Sequence, residues 1–222
     1  MKVTTLISIS LITAGAASGQ IFNIDLDTSQ RGWIDSTGLT DISNGNYIAG
    51  SISGTEYRNY FTFDTSGLVG TVQSATLTLD LPDNGFLSPT GSEAFSISGA
   101  SALSGAISDP SASFIDLGDG PIYGVSIVDG TSTSVSVSLN SSFLNAVNSG
   151  AASSVTLGGA LLSLAGDSNI NEYAFAFSDS NQAANPVRLS LTVDVSGSAV
   201  PEPSSAILLT IAAAFGISRR RR

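Results

Sequence analysis

The chain has 222 residues, with 8 Lys and Arg against 18 Asp and Glu and a formal net charge of −10. Between positions 20 and 200 the acidic residues number 17 and the basic residues are Arg31, Arg58 and Arg188 alone, so this body repels phosphate backbones and makes nucleic acid a poor partner, leaving divalent cations and neutral polar ligands. With no Cys and no His, disulfides, Cys- or His-ligated zinc, thiol nucleophiles and Ser-His-Asp catalysis are all excluded.

The chain opens on MKVTTLISISLITAGAASGQ. Lys2 supplies a small positive start, residues 3–14 form an uncharged and mostly apolar stretch, and Ala17 and Gly19 place small residues at −3 and −1 before Gln20. This is the layout of a secretory signal peptide over residues 1–19, with a second candidate cleavage site after Ala14-Gly15-Ala16. The body then runs from 20 to 196. Its first acids, Asp25 and Asp27, with Asp35 and Asp41 downstream, are candidate oxygen ligands for Ca²⁺, a hard ion that needs several carboxylates and carbonyls. Asp83-Asn84-Gly85 and the stretch 116–120 are similar candidates, and none has an EF-hand spacing. The competing reading is turn chemistry, because Asp and Asn favour turns by bonding their own backbone.

RGWID follows. The single tryptophan, Trp33, stands between Arg31 and Asp35. A tryptophan face stacks on a sugar ring while Arg and Asp bond its hydroxyls, so Arg31, Trp33 and Asp35 are a candidate glycan site, with Tyr47 and Tyr57 as further platforms. Against this stands a core role for Trp33 with Arg31 paired to Asp35.

From position 60 onward, apolar residues alternate with polar ones. Phe61 and Phe63 share one face; so do Ala75, Leu77, Leu79 and Leu81; Phe95 and Ile97; Val135, Val137 and Leu139; Tyr173, Phe175 and Phe177; and Val187, Leu189, Leu191, Val193 and Val195. A period of two with one wetted face predicts antiparallel strands, and Asp83-Asn84-Gly85, residues 118–121, Asp129-Gly130 and Asn185-Pro186 predict the turns between them. One helix is expected: Asn140 or Ser141 caps it, Phe143, Leu144 and Val147 share a face, and Gly150 follows its end. Residues 155–164, apolar and Gly-bearing, suit an interior strand. The predicted fold class is therefore all-β, an antiparallel jelly-roll-like β-sandwich with one short helix. Hydrolysis of glycans would need a carboxylate pair, and the body offers only Glu56, Glu93 and Glu172 as glutamates, with no signature that marks such a pair.

RGWIDSTG, NYIAG and RNYFTFDTSGLVGTVQSATLTLDLP together resemble a family of secreted bacterial β-sandwiches of DNRLRE type, similar to carbohydrate-binding modules. Arg58, Phe61, Phe63, Asp64, Ala75, Leu77 and Leu79 match its core element. They are framework positions, so the resemblance implies a fold more than a ligand.

Residues 197–200 form a short linker to the last segment. Pro201-Glu202-Pro203 is followed by a short apolar helix over 204–218 and by Arg219, Arg220, Arg221 and Arg222. The apolar stretch falls short of the roughly 20 residues that span a bilayer comfortably, and positive residues beside such a helix are retained on the cytoplasmic side. The two prolines keep the preceding site extended. The order of these three parts resembles the PEP-CTERM sorting signal of Gram-negative bacteria, a tail also labelled the ice-binding protein C-terminal domain, a label that implies no ice binding by the body. The resemblance implies transient insertion in the inner membrane, processing by an exosortase near Pro201-Glu202-Pro203, and delivery to the cell surface or extracellular matrix. The sequence reading is thus an exported, non-enzymatic surface or matrix protein with exopolysaccharide or surface glycan as candidate partner; the alternative is an extracellular polysaccharide-active enzyme using paired carboxylates.

Overall fold

The computed structural model describes residues 20–41, 43–101, 109–150, 153–178 and 186–195. The signal peptide at 1–19, the linker, and the sorting segment with Pro201, Glu202, Pro203 and Arg219 to Arg222 lie outside the described residues. By its contacts the chain divides into a compact unit, Ile21–Asp194, and a second unit comprising the remaining residues at both ends, of which only Gln20 and Val195 are described.

The compact unit holds eleven described strands and two described helices: β1 (Ile21–Asp27), β2 (Gln30–Asp35), β3 (Ala49–Ile52), β4 (Thr55–Asp64), β5 (Thr71–Asp80), β6 (Ser92–Ala100), α1 (Pro110–Asp119), β7 (Ile122–Asp129), β8 (Ser134–Leu139), α2 (Ser141–Asn148), β9 (Ser154–Leu161), β10 (Glu172–Ala174) and β11 (Val187–Asp194). Every pairing is antiparallel. A four-stranded sheet has the order β1-β11-β5-β8, and a seven-stranded sheet contains the run β4-β9-β6-β7.

Strict alternation holds where one face is wet. In the smaller sheet Leu77, Leu79, Val137, Leu189 and Val193 are fully buried, while the Thr and Ser between them point outward. Phe61, Phe63, Phe95, Ile97 and Leu157 are their counterparts on the larger sheet. Tyr47 joins the two layers: its ring meets Phe61 edge-on at 5.6 Å and its hydroxyl donates to the Asp80 carbonyl of β5 at 2.7 Å.

β4 is the branch point of the larger sheet. One edge pairs with β2 from Tyr57 to Thr62; the other pairs with β3 near its start and with β9 thereafter. β4 reads as half-wetted, yet Tyr60 and Thr62 are as buried as Phe61. The reason is α1, which lies on the outer face and closes a second small core of Ile34, Tyr60 and Leu117. This helix corrects the expectation of a single helix. Asp109 caps it, accepting from Ala112 N–H at 3.1 Å, and Pro110 stands at its first turn, where a proline has no N–H to lose. The Ser98 hydroxyl donates to the Leu117 carbonyl at 2.9 Å, and Arg58 lies 4.2 Å over the Phe114 ring while donating to the Phe114 carbonyl at 3.0 Å. The expected helix is present as α2, with Asn140 accepting from Ser142 and Phe143 N–H and Gly150 beyond its end at φ 63°.

A second correction concerns residues 173–177. Alternation predicted one strand with Tyr173, Phe175 and Phe177 on a shared face. β10 stops at Ala174, because Phe175 and Phe177 both take φ 62°. Phe175 is fully buried against Phe95 and Tyr47, whereas Phe177 is 60% exposed.

Several turns share one device. Asp35, Asp41, Asp64, Asp129 and Asp167 each accept the N–H of the residue two positions on, and all but Asp167 accept that residue's hydroxyl as well. These bonds hold the exposed carboxyls of Asp41, Asp64, Asp129 and Asp167 below the ordinary aspartate value of 3.8, led by the Ser43, Ser66 and Thr131 hydroxyls and the Asn169 N–H. A lowered folded value gives stability that is present above about pH 3.8 and lost as pH falls through the folded value. Desolvation raises Asp80 and works in the opposite sense. Four groups outweigh one, so the melting temperature in 0.15 M salt should be flat from pH 7 to about 5 and fall below about 4; a melting temperature that holds or rises down to pH 3 contradicts the turn assignment.

Candidate functional site

β2 is an outer strand of the larger sheet, and its sequence alternates. Gly32 and Ile34 face α1; Arg31, Trp33 and Asp35 share the face of their partners Phe61, Asn59 and Tyr57. Gly32 is required there because a Cβ would lie 2.7 Å from the Tyr60 hydroxyl. Trp33 is half-buried, its ring edge-on to the half-buried Tyr57 with centroids 5.3 Å apart. Partial burial, and then the Asp35 charge, push the Tyr57 hydroxyl above its ordinary value. The Thr40 hydroxyl donates to the Trp33 carbonyl at 2.7 Å and fixes the strand against the following loop.

Arg31 is also half-buried. Its guanidinium lies 4.9 Å from the centroid of the Tyr47 ring and donates to the Ser178 carbonyl at 3.4 Å. Cation–π attraction of this kind fixes a long side chain in one orientation. Tyr47, expected as a platform, is instead fully buried between the sheets, and burial pushes its hydroxyl well above the ordinary tyrosine range. A ring with no exposed face cannot stack on a sugar, so Tyr47 positions Arg31 from beneath. Asp35 is 3% exposed, and one of its oxygens accepts from Thr37 N–H, the Thr37 hydroxyl and Leu39 N–H. It shapes the loop beside the site more than it offers an open carboxylate. The site thus brings Arg31, Trp33 and Tyr57 together, with Asp35 and Tyr47 as supports.

The calcium candidates are placed differently. Asp25 and Asp27 are exposed on β1, opposite Ser190 and Arg188, and Asp25 accepts from the Ser190 hydroxyl at 2.6 Å. Asp35 and Asp41 close their own turns, and Asp116 accepts from Ser101 N–H at 2.7 Å. Among the described residues no group of three or more acidic side chains comes together to hold a metal.

The three glutamates have separate partners. Glu56 bonds the Arg58 guanidinium at 2.9 Å; Glu93, 1% exposed, accepts from the Ser163 hydroxyl; Glu172, 2% exposed, accepts from Ala165 N–H. A cavity of about 350 Å³ opens where the end of α2 meets the loop after β4, with Thr65, Ser66, Asn148 and Ser153 as its polar groups and no ionisable side chain among its lining residues. Asn148 there pairs with both the N–H and the carbonyl of Val72, acting as one more rung on β5.

Among the described residues no helix is long and apolar enough to cross a membrane. No protein-family model matches the chain, and no curated protein matches it.

Proposed function

We propose that this is an exported, non-enzymatic protein of the cell surface or extracellular matrix, sorted by a PEP-CTERM-type tail and retained among glycans by the Arg31–Trp33–Tyr57 site. The observation that carries the reading is the C-terminal order: Pro201-Glu202-Pro203, an apolar run over 204–218, then four arginines in a chain otherwise almost free of basic residues. An inner-membrane stage and an exosortase-type enzyme belong to this reading. The geometry of the compact unit supports it. Ile21 and Asp194 are direct partners across β1 and β11, so the chain enters and leaves the unit at one corner, as suits a domain held by a single tether.

The strand order supports a jelly-roll-like sandwich. Passing along the chain, β1, β4, β5, β6, β7, β8, β9 and β11 divide as first, eighth, third and sixth in one sheet and second, seventh, fourth and fifth in the other, which is how two nested Greek keys wind. Such sandwiches serve as lectin-like domains as well as structural ones, and a half-exposed Trp–Tyr pair beside a fixed guanidinium suits a neutral sugar ring. No ion is needed for this stacking contact.

The test uses the full chain and insoluble neutral polysaccharides (cellulose, chitin and curdlan) in pull-down assays, with and without calcium. Wild-type protein is expected to be retained on at least one of them, and Trp33→Ala to lose that retention with an unchanged far-ultraviolet circular dichroism spectrum. Retention that survives Trp33→Ala removes this site, and no retention of the wild type removes glycan binding from the proposal.

A further inference from the structure

Phe177 breaks a local rule. A bulky aromatic residue at φ 62° is a backbone outlier, and such strain persists only where the surroundings over-determine it. Here they do. On one side, Phe175 is anchored in the core against Phe95 at 5.0 Å, and Ala176 N–H donates to the Gly85 carbonyl at 3.1 Å. On the other side, the fully buried Ser178 donates its hydroxyl to Asn46 Oδ1 at 2.6 Å and accepts from Tyr47 N–H at 2.8 Å. The residue between these two clamps is 60% exposed, so the strain does not serve to bury its ring.

The Ser178 carbonyl is also the acceptor for Arg31 at 3.4 Å. Consecutive Cα atoms are about 3.8 Å apart, so Phe177 stands one residue from the Arg31 guanidinium. Trp33 is the next residue along the same face of β2, about 7 Å further on. Phe177, Arg31 and the Trp33–Tyr57 pair therefore follow one another: ring, cation, ring.

We infer that Phe177 is a second stacking platform of the glycan site, held out in strained backbone so that the strip accepts an extended neutral polysaccharide, not a single sugar. The inference rests on the glycan reading of Trp33. Its functional cost is visible in the backbone, because glycine adopts this conformation without the steric penalty that phenylalanine meets. Stabilising a strained binding residue is expected to weaken binding.

The test sets Phe177→Gly, Phe177→Tyr and Trp33→Ala beside the wild-type full chain, on the polysaccharide that retains the wild type and on its short oligosaccharides. Phe177→Gly is expected to raise the melting temperature by about 2–4 °C while weakening polysaccharide affinity at least tenfold, with oligosaccharides of one or two units unaffected. Phe177→Tyr should keep wild-type affinity. If Phe177→Gly keeps full affinity while Trp33→Ala loses it, the inference fails and the glycan reading stands. If Phe177→Gly lowers the melting temperature, Phe177 is a structural residue and the inference fails. If the wild type is not retained, both fail together.

Discussion

Gly158→Ala is expected to lower stability by about 3 kcal/mol, a fall in melting temperature of about 10 °C for a unit of this size, and to expose α1 to proteolysis. Gly158 sits on β9 beneath the helix. A Cβ there would overlap the Leu117 carbonyl and lie 2.7 Å from the Leu117 Cα. Both atoms are helix backbone, so no rotamer change relieves the overlap and α1 must lift. Lifting it opens the Ile34–Tyr60–Leu117 core and weakens the contacts of Arg58 with Phe114. The neighbouring Gly159 faces the other way, where a Cβ would overlap the Asn59 amide and lie 2.6 Å from the Phe95 ring. β9 is thus pressed from both faces, and two successive glycines are the response to that. Gly67→Ala is the control: nothing lies within 4 Å of its Cβ position, and its melting temperature should be unchanged. Equal effects of the two substitutions would show that α1 does not rest on β9.

Replacing Arg219, Arg220, Arg221 and Arg222 together by Ala is expected to abolish processing near Pro201-Glu202-Pro203. The apolar run 204–218 is too short to hold a bilayer well without help, and the four charges are what resists passage to the outer side. Without them the segment has no fixed orientation, and Pro201-Glu202-Pro203 is not presented at a defined depth. The measured outcome is the mass and location of the variant in the cells that make the protein. Loss of the processed form supports the assignment; unchanged processing and surface yield would remove the arginines from the sorting mechanism.

The elements most readable from sequence were those whose environment is one-sided. β5, β8 and β11 alternate because one face meets the core and the other meets water, and α2 carried both a capping Asn140 and a terminal Gly150. β4 alternated too, but its outward Tyr60 is buried by a helix from far along the chain, which no local pattern records. That helix, SASFIDLGD after Pro110, is short and rich in residues that disfavour helices. Its signal was Asp109-Pro110, an N-cap followed by proline, and its stability comes from docking. The strand predicted through Phe177 was lost to two left-handed phenylalanines, a tertiary override that alternation conceals.

The site was legible in part. Arg31, Trp33 and Asp35 do lie on one face of one strand, as their spacing requires. Tyr47 is a core ring and Phe177 a surface ring, and neither environment can be read from an isolated aromatic in a sequence. The acidic loops were ambiguous between ion ligands and turns. The recurrence of Asp-x-Ser or Asp-x-Thr at Asp35, Asp41, Asp64 and Asp129 is the local pattern that marks them as turns.

The central claim is that the compact unit works outside the cytosol after losing its address segments. The most direct measurement is the intact mass of the native protein in each cell fraction. A chain that begins at Gln20, ends near Pro201-Glu202-Pro203 and is recovered from the surface or matrix fraction is the predicted result. A full-length, unprocessed chain recovered from the soluble cytosol would contradict it.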